Sequence, residues 1–213
     1  MKNTTMLTLG GQLNFNDMNV DDFHIEDIAH ALSMICRFGG HCDRFYSVAE
    51  HSCLLADYFT NRYDFYNARI ALMHDAGEAY TGDIIQPLRA WGRDIEDLEG
   101  ECWKLIAEKF GLPGHITPEV KEADTRLCLA EMIKFFKPKN CDPSNPAVQE
   151  KWPEGLPGNW QGPSDPLVVS VNPSVLPHFH SWQPGKAKVE FLNRFERLQK
   201  MADDAKRGVN PWK

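Results

Sequence analysis

Residues 71–84, ALMHDAGEAYTGDI, place His74, Asp75, Glu78 and Asp83 in a segment otherwise made almost wholly of apolar or small residues. Withdrawing ionisable groups from water is costly unless each finds a partner. The fold must therefore pair these groups among themselves or set a charge between them. His74 and Glu78 stand four apart and Asp75 and Glu78 three apart, so on a helix all three converge on one face. Two further helical segments supply partners: His51 in AEHS and Asp124 in KEAD. Two imidazoles and two carboxylates from three helices make a mixed nitrogen and oxygen shell. That donor set suits one borderline divalent cation such as Mn, Co, Fe, Ni or Zn better than Ca or a structural Zn.

The remaining patterning predicts an all-α chain of one domain. Residues 1–22 are polar and form an extended or hairpin-like N-terminal extension. In IEDIAHALSMICRF, residues Ile25, Ile28, Ala29, Leu32, Ile35 and Cys36 recur at helical spacing. Ser47 is an N-cap for VAEHSCLLADYFTNR, and Glu50 completes a capping-box pattern. The spacing in NARIALMHDAGEAY predicts one continuous helix with Ile70, Met73 and Gly77 toward the core. A helix over 94–110 ends at Gly111. Thr117 followed by Pro118 opens the next, and KAKVEFLNRFERLQKMADDAK closes the chain. Between these last two, residues 138–184 hold most of the 14 prolines and half of the six tryptophans. Their aromatic content predicts an ordered irregular insertion, with a short strand at PLVVSV, folded back over the helices.

Composition excludes several classes. The net charge is −7 and the pI about 5.6, with no basic run of the kind a nucleic-acid polymer binder carries. The opening MKNTTMLTLGGQLNF has no signal-peptide pattern and no apolar run spans a membrane. Six cysteines without any C-x-x-C read as reduced thiols, mostly core fillers, in a cytoplasmic protein.

The order His51, His74-Asp75, Asp124 resembles the H…HD…D signature of the HD-domain metal-dependent phosphohydrolases. DIAHALSMICRFGGHCDRFYSVAEHS and ALMHDAGEAYTGDIIQPLR extend the likeness to bacterial and prophage 5′-deoxynucleotidases and phage dATP triphosphohydrolases. It covers about residues 22–130, with a weaker echo in KAKVEFLNRFERL. The resemblance implies an HD-domain helical bundle, a cytoplasmic enzyme that is often a homo-oligomer, and one divalent metal (Mn, Co, Zn, Fe, Ni or Mg) on His51, His74, Asp75 and Asp124. It implies hydrolysis of a dNTP to deoxynucleoside and triphosphate, or of a dNMP to deoxynucleoside and phosphate. A non-catalytic nucleotide-sensing module is the alternative of another class.

The resemblance also implies roles for neighbouring residues. Glu78 matches the family's acid/base glutamate. Asp83 stands where the family places a carboxylate near the sugar 3′-hydroxyl or the attacking water; it could equally cap the segment IIQPLR. Arg37, at the end of the first helix, matches the arginine that meets substrate phosphate, a bidentate task suited to a guanidinium. Arg89 and Lys121 match basic positions that touch phosphates in the triphosphohydrolase branch. Phe38 and Pro87 would wall the base, and His41 in GGHCD could donate to a phosphate. For these last five, core packing or a solvated surface position is the competing reading.

Overall fold

The computed structural model describes residues 3–85, 88, 93–135 and 179–208. The chain opens as a hairpin of β1 (Thr4–Met6) and β2 (Gln12–Asn14), antiparallel with Thr5 opposite Leu13. Leu13 is fully buried while both β2 neighbours are exposed, the period-two pattern of a strand lying on a core. The Leu9 N–H donates to Asp27 Oδ1 at 2.8 Å, tying the hairpin to the first helix.

Helix α1 (Ile25–Met34) buries Ile28, Ala29 and Leu32 along one face. It stops earlier than the spacing predicts. Ile35 is extended, Cys36 bridges to Ser47, and the Arg37 N–H donates to the Tyr46 carbonyl at 2.9 Å. Pairing with a segment ten residues on satisfies the backbone here, so helical spacing at Ile35 and Cys36 is overridden. Arg37 stands beyond the helix, on an extended stretch.

Helix α2 (Val48–Thr60) starts at Ser47, whose Oγ accepts from the Glu50 N–H at 3.1 Å. Nearly every residue from Val48 to Ala56 is buried, so α2 is the central helix of the structure. Glu50 does not close the capping box. Its carboxylate instead accepts from the backbone N–H groups of His180, Ser181 and Trp182 at 2.6, 3.0 and 2.7 Å. This contact fixes the chain where it returns toward the last helix. Beside it, Phe179 is buried against Tyr46 and Phe135, with ring centroids 5.8 and 5.3 Å apart.

Helix α3 (Phe65–Met73) packs against α2, and α4 (Glu78–Thr81) follows a break. The continuous helix predicted through NARIALMHDAGEAY is interrupted at residues 74–77. There the Ala76, Glu78 and Tyr80 N–H groups donate three residues back, to Met73, Asp75 and Gly77, a tighter winding than α. Gly77 has a separate reason. A Cβ on it would lie 3.0 Å from Glu99 Cγ and 3.2 Å from the Glu99 carbonyl oxygen.

Glu99 belongs to α5 (Arg93–Phe110), which ends where Gly111 takes φ of 62°. Helix α6 (Pro118–Phe135) opens on Thr117, whose Oγ1 accepts from the Val120 N–H at 3.4 Å. Helix α7 (Pro184–Lys206) carries proline in its first turn and lies across α1, α2 and α3, inserting Ala187, Phe191 and Leu198. The described fold is thus helical with one small two-stranded sheet. Among the described residues no helix is long and apolar enough to cross a membrane. The PLVVSV strand, Pro87 and Arg89 lie outside the described residues.

Candidate metal centre

His51 projects from the first turns of the buried helix α2, His74 and Asp75 from the tight turn after α3, and Asp124 from the second turn of α6. One atom each from His51, His74 and Asp124 lies within 4.8 Å of the other two. The Nε2 atoms of the two histidines are 3.4 Å apart. Asp124 Oδ1 is 3.0 Å from His51 Nε2 and 3.7 Å from His74 Nε2. Asp75 joins them with Oδ1 3.1 Å from His74 Nε2 and Oδ2 3.8 Å from His51 Nε2. The short turn at 74–77 brings His74 and Asp75, adjacent in sequence, to the same centre.

The outer nitrogens decide the tautomers. His74 Nδ1 is 2.8 Å from the Ala71 carbonyl oxygen, which can only accept, so Nδ1 carries the hydrogen. His51 Nδ1 is 2.6 Å from Glu131 Oε1. Glu131 is held ionised: burial would raise its pKa, but Arg37, His51 and Tyr46 together bring it below the usual carboxyl value. His51 therefore also donates from Nδ1. Both neutral rings then turn Nε2 lone pairs toward each other and toward two carboxylates. Four acceptors cannot gather this closely without positive charge, either a proton on each ring or a cation among them. The donor set and the committed outer nitrogens fit a divalent cation.

The surrounding carboxylates favour protons on both imidazoles. Burial and Arg37 push the His51 pKa down, yet Glu131 and Asp124 outweigh them and it rises to about 9. His74 is raised too, against its burial, by Asp75 and Asp124. Asp124 is drawn well below the carboxylate range: burial opposes this, and hydrogen bonds with both imidazoles prevail.

Arg37 lies against this centre, its side chain about one-tenth exposed. Its Nε donates to Glu131 Oε2 at 3.1 Å and its Nη1 approaches Asp75 Oδ2 at 3.5 Å. The Phe38 ring packs beside the guanidinium, 5.3 Å from Cζ to the ring centroid. Phe38 adopts φ of 56°, a left-handed conformation that costs a non-glycine residue about 1 kcal/mol. Gly39 and Gly40, at 60° and 79°, continue the turn. Asp83 Oδ2 accepts from the Phe38 N–H at 3.1 Å. Its carboxylate thus acts on the arginine turn, and half of the IIQPLR segment it could cap lies outside the described residues. Glu78 is almost fully buried, and burial first, then the Asp75 and Asp83 carboxylates, raise its pKa well above the carboxyl range. Arg37 opposes this rise only in part.

Lys121 is exposed on α6 one turn before Asp124, and His41 is exposed beyond the arginine turn. Sequence reasoning missed Glu131, Tyr46 and the true role of Glu50. Glu131 follows Asp124 by seven residues, hence two turns on the same face, and Leu127 between them is buried. A carboxylate on that apolar face was the available signal.

No family model matches the chain. Over 122 residues it is 41% identical to the uncharacterized protein YfdR of Escherichia coli, a match covering 57% of this chain and 66% of that protein. Over 120 residues it is 36% identical to an uncharacterized protein of Rhodobacter capsulatus, covering 54% and 61% respectively. The chain spans less than two thirds of the length of these curated relatives.

Proposed function

We propose that the chain is a cytoplasmic, metal-dependent hydrolase of deoxynucleotides on an HD-domain helical bundle, releasing deoxynucleoside and triphosphate from a dNTP. One observation carries the reading: two imidazoles with committed outer nitrogens face two carboxylates, and an arginine stands 3.5 Å from one of them. An anion-binding group beside a cation-binding group is the pairing that a phosphate ester requires.

His51, His74, Asp75 and Asp124 would hold the cation. Bound there, it supplies Lewis acidity, polarising a phosphoryl oxygen and acidifying water. Arg37, with Nε engaged by Glu131 and Nη1 3.5 Å from Asp75, would bind phosphate oxygens through its Nη2 edge. Glu78, buried with its pKa raised by that burial and by the Asp75 and Asp83 carboxylates, would be the acid/base group, orienting the attacking water or protonating the departing ester oxygen. Asp83 holds the Phe38 backbone and so orients both Arg37 and the Phe38 ring, which offers an apolar wall for the base.

A second reading has an observation in its favour. Arg37 is the basic residue that meets the centre among the described residues, while Lys121 is exposed one turn away. One arginine suffices for a single phosphate, which favours a 5′-deoxynucleotidase acting on dNMPs. Anion-exchange analysis of products separates the two. Metal-stripped protein is reloaded with Mn, Co, Zn or Mg and incubated with dNTPs, dNMPs and the ribonucleotides. Triphosphate released from dNTPs supports the first reading, and phosphate from dNMPs alone supports the second. Absence of turnover with every metal contradicts both and points to a nucleotide-sensing module.

A further inference from the structure

Glu131 is fully buried on α6 and lies outside the group of atoms that can hold the ion. A buried carboxylate needs several hydrogen-bond donors to offset its desolvation. It has three, all from side chains in the stretch from Arg37 to His51. Oε1 accepts from Tyr46 Oη at 2.7 Å and from His51 Nδ1 at 2.6 Å, and Oε2 accepts from Arg37 Nε at 3.1 Å. Each contact has a consequence. The bond to His51 fixes the ring's tautomer and leaves its Nε2 lone pair for the cation. The bond to Arg37 fixes the guanidinium by its inner nitrogen, with Nη1 3.5 Å from Asp75 beside the centre. Tyr46 bonds only to the shared oxygen, and the buried rings of Phe135 and Phe179 pack around its own.

On the reading proposed above, we infer that Glu131 is a positioning residue that sets the cation-holding His51 and the phosphate-binding Arg37 through one carboxylate. The two halves of the site are then not independent. A change at Glu131 loosens both, although Glu131 touches neither ion nor substrate. The amide of Glu131→Gln keeps the size but has one acceptor oxygen and one NH2 donor. Facing three donors, it must leave at least one of them opposed. Glu131→Asp keeps the charge and shortens the arm, so it reaches part of the set.

The test is Mn2+ titration of the metal-stripped full chain, followed by electron paramagnetic resonance of free Mn2+, with kcat and KM measured at saturating Mn2+. Glu131→Gln is expected to weaken Mn2+ binding at least tenfold, within the roughly 10–100-fold range for outer-shell partners. It is also expected to raise KM, through Arg37, and lower kcat. Glu131→Asp should recover part of the Mn2+ affinity, and it remains the informative variant if the glutamine form fails to fold. A folded Glu131→Gln or Glu131→Asp protein with wild-type Mn2+ affinity would overturn the inference, reducing Glu131 to a structural role. Wild-type protein that binds no Mn2+ would overturn the metal reading itself and this inference with it.

Discussion

Glu50 and Glu131 are both carboxylates with no exposed surface, and each accepts three hydrogen bonds. They do different things. Glu50 takes backbone N–H groups from three consecutive residues, 180–182, so it holds the path of the chain where α7 is approached. Glu131 takes side-chain donors from Arg37, Tyr46 and His51, so on the proposed function it holds the orientation of working groups. Burial and pairing alone therefore do not distinguish a structural carboxylate from a functional one. The identity of the donors does. Backbone donors tie the carboxylate to architecture, and side-chain donors with a second polar atom aimed elsewhere tie it to chemistry.

This contrast can be broken or sharpened by substitution. The largest effect is expected inside the site, at Glu78. Glu78→Gln removes the acid/base group, and rate should fall about 10²–10⁴-fold while Mn2+ affinity is retained. Stopped assays alongside metal titration check this; an undiminished rate removes Glu78 from the mechanism. Glu50→Ala comes next. It strips the acceptor from three backbone N–H groups and is expected to cost about 3 kcal/mol of stability, read by urea denaturation. Refolded in the absence of urea, it should bind Mn2+ as wild type does. A Glu50 variant that keeps its stability but loses the ion would erase the distinction drawn here.

A pH effect of intermediate size follows from the imidazoles. His51 is raised from 6.5 to about 9 and His74 is raised as well, so both gain protons on folding when no ion is bound. Their contribution to stability is fully present below pH 6.5 and is lost as pH rises through about 9. Glu78, also raised, acts in the same direction. The Tm of metal-stripped protein should therefore fall between pH 6.5 and 9, and saturating Mn2+ should flatten that fall. A flat or rising Tm without metal would contradict the proton-for-metal exchange. The smallest effect is expected at Tyr46→Phe. It removes one of the three donors to Glu131 and should cost about 1 kcal/mol, with Mn2+ affinity changed less than tenfold.

Local signals in the sequence placed much of the fold. Ser47, Thr117 with Pro118, and Gly111 mark helix ends where they occur, because each acts on backbone groups within three residues. The helix stop at Met34 escaped because its cause is Tyr46 and Ser47, which pair with Arg37 and Cys36. The break at 74–77 escaped because three-residue and four-residue hydrogen bonding leave the same apolar spacing over one turn. At the site, His51, His74, Asp75 and Asp124 were legible as ionisable groups in apolar helical surroundings. Glu131 was not, because a lone carboxylate in a helix reads as surface until its donors are known. Those donors lie 80 to 94 residues away.

The central claim is that His51, His74 and Asp124, with Asp75, gather one divalent cation. Its most direct test is Mn2+ stoichiometry on stripped wild-type protein beside His74→Ala and Asp124→Asn, with circular dichroism confirming unchanged helicity. The account predicts one tightly bound Mn2+ per chain in wild type and none in either variant. A wild type that binds no ion, or variants that bind it undiminished, would contradict it.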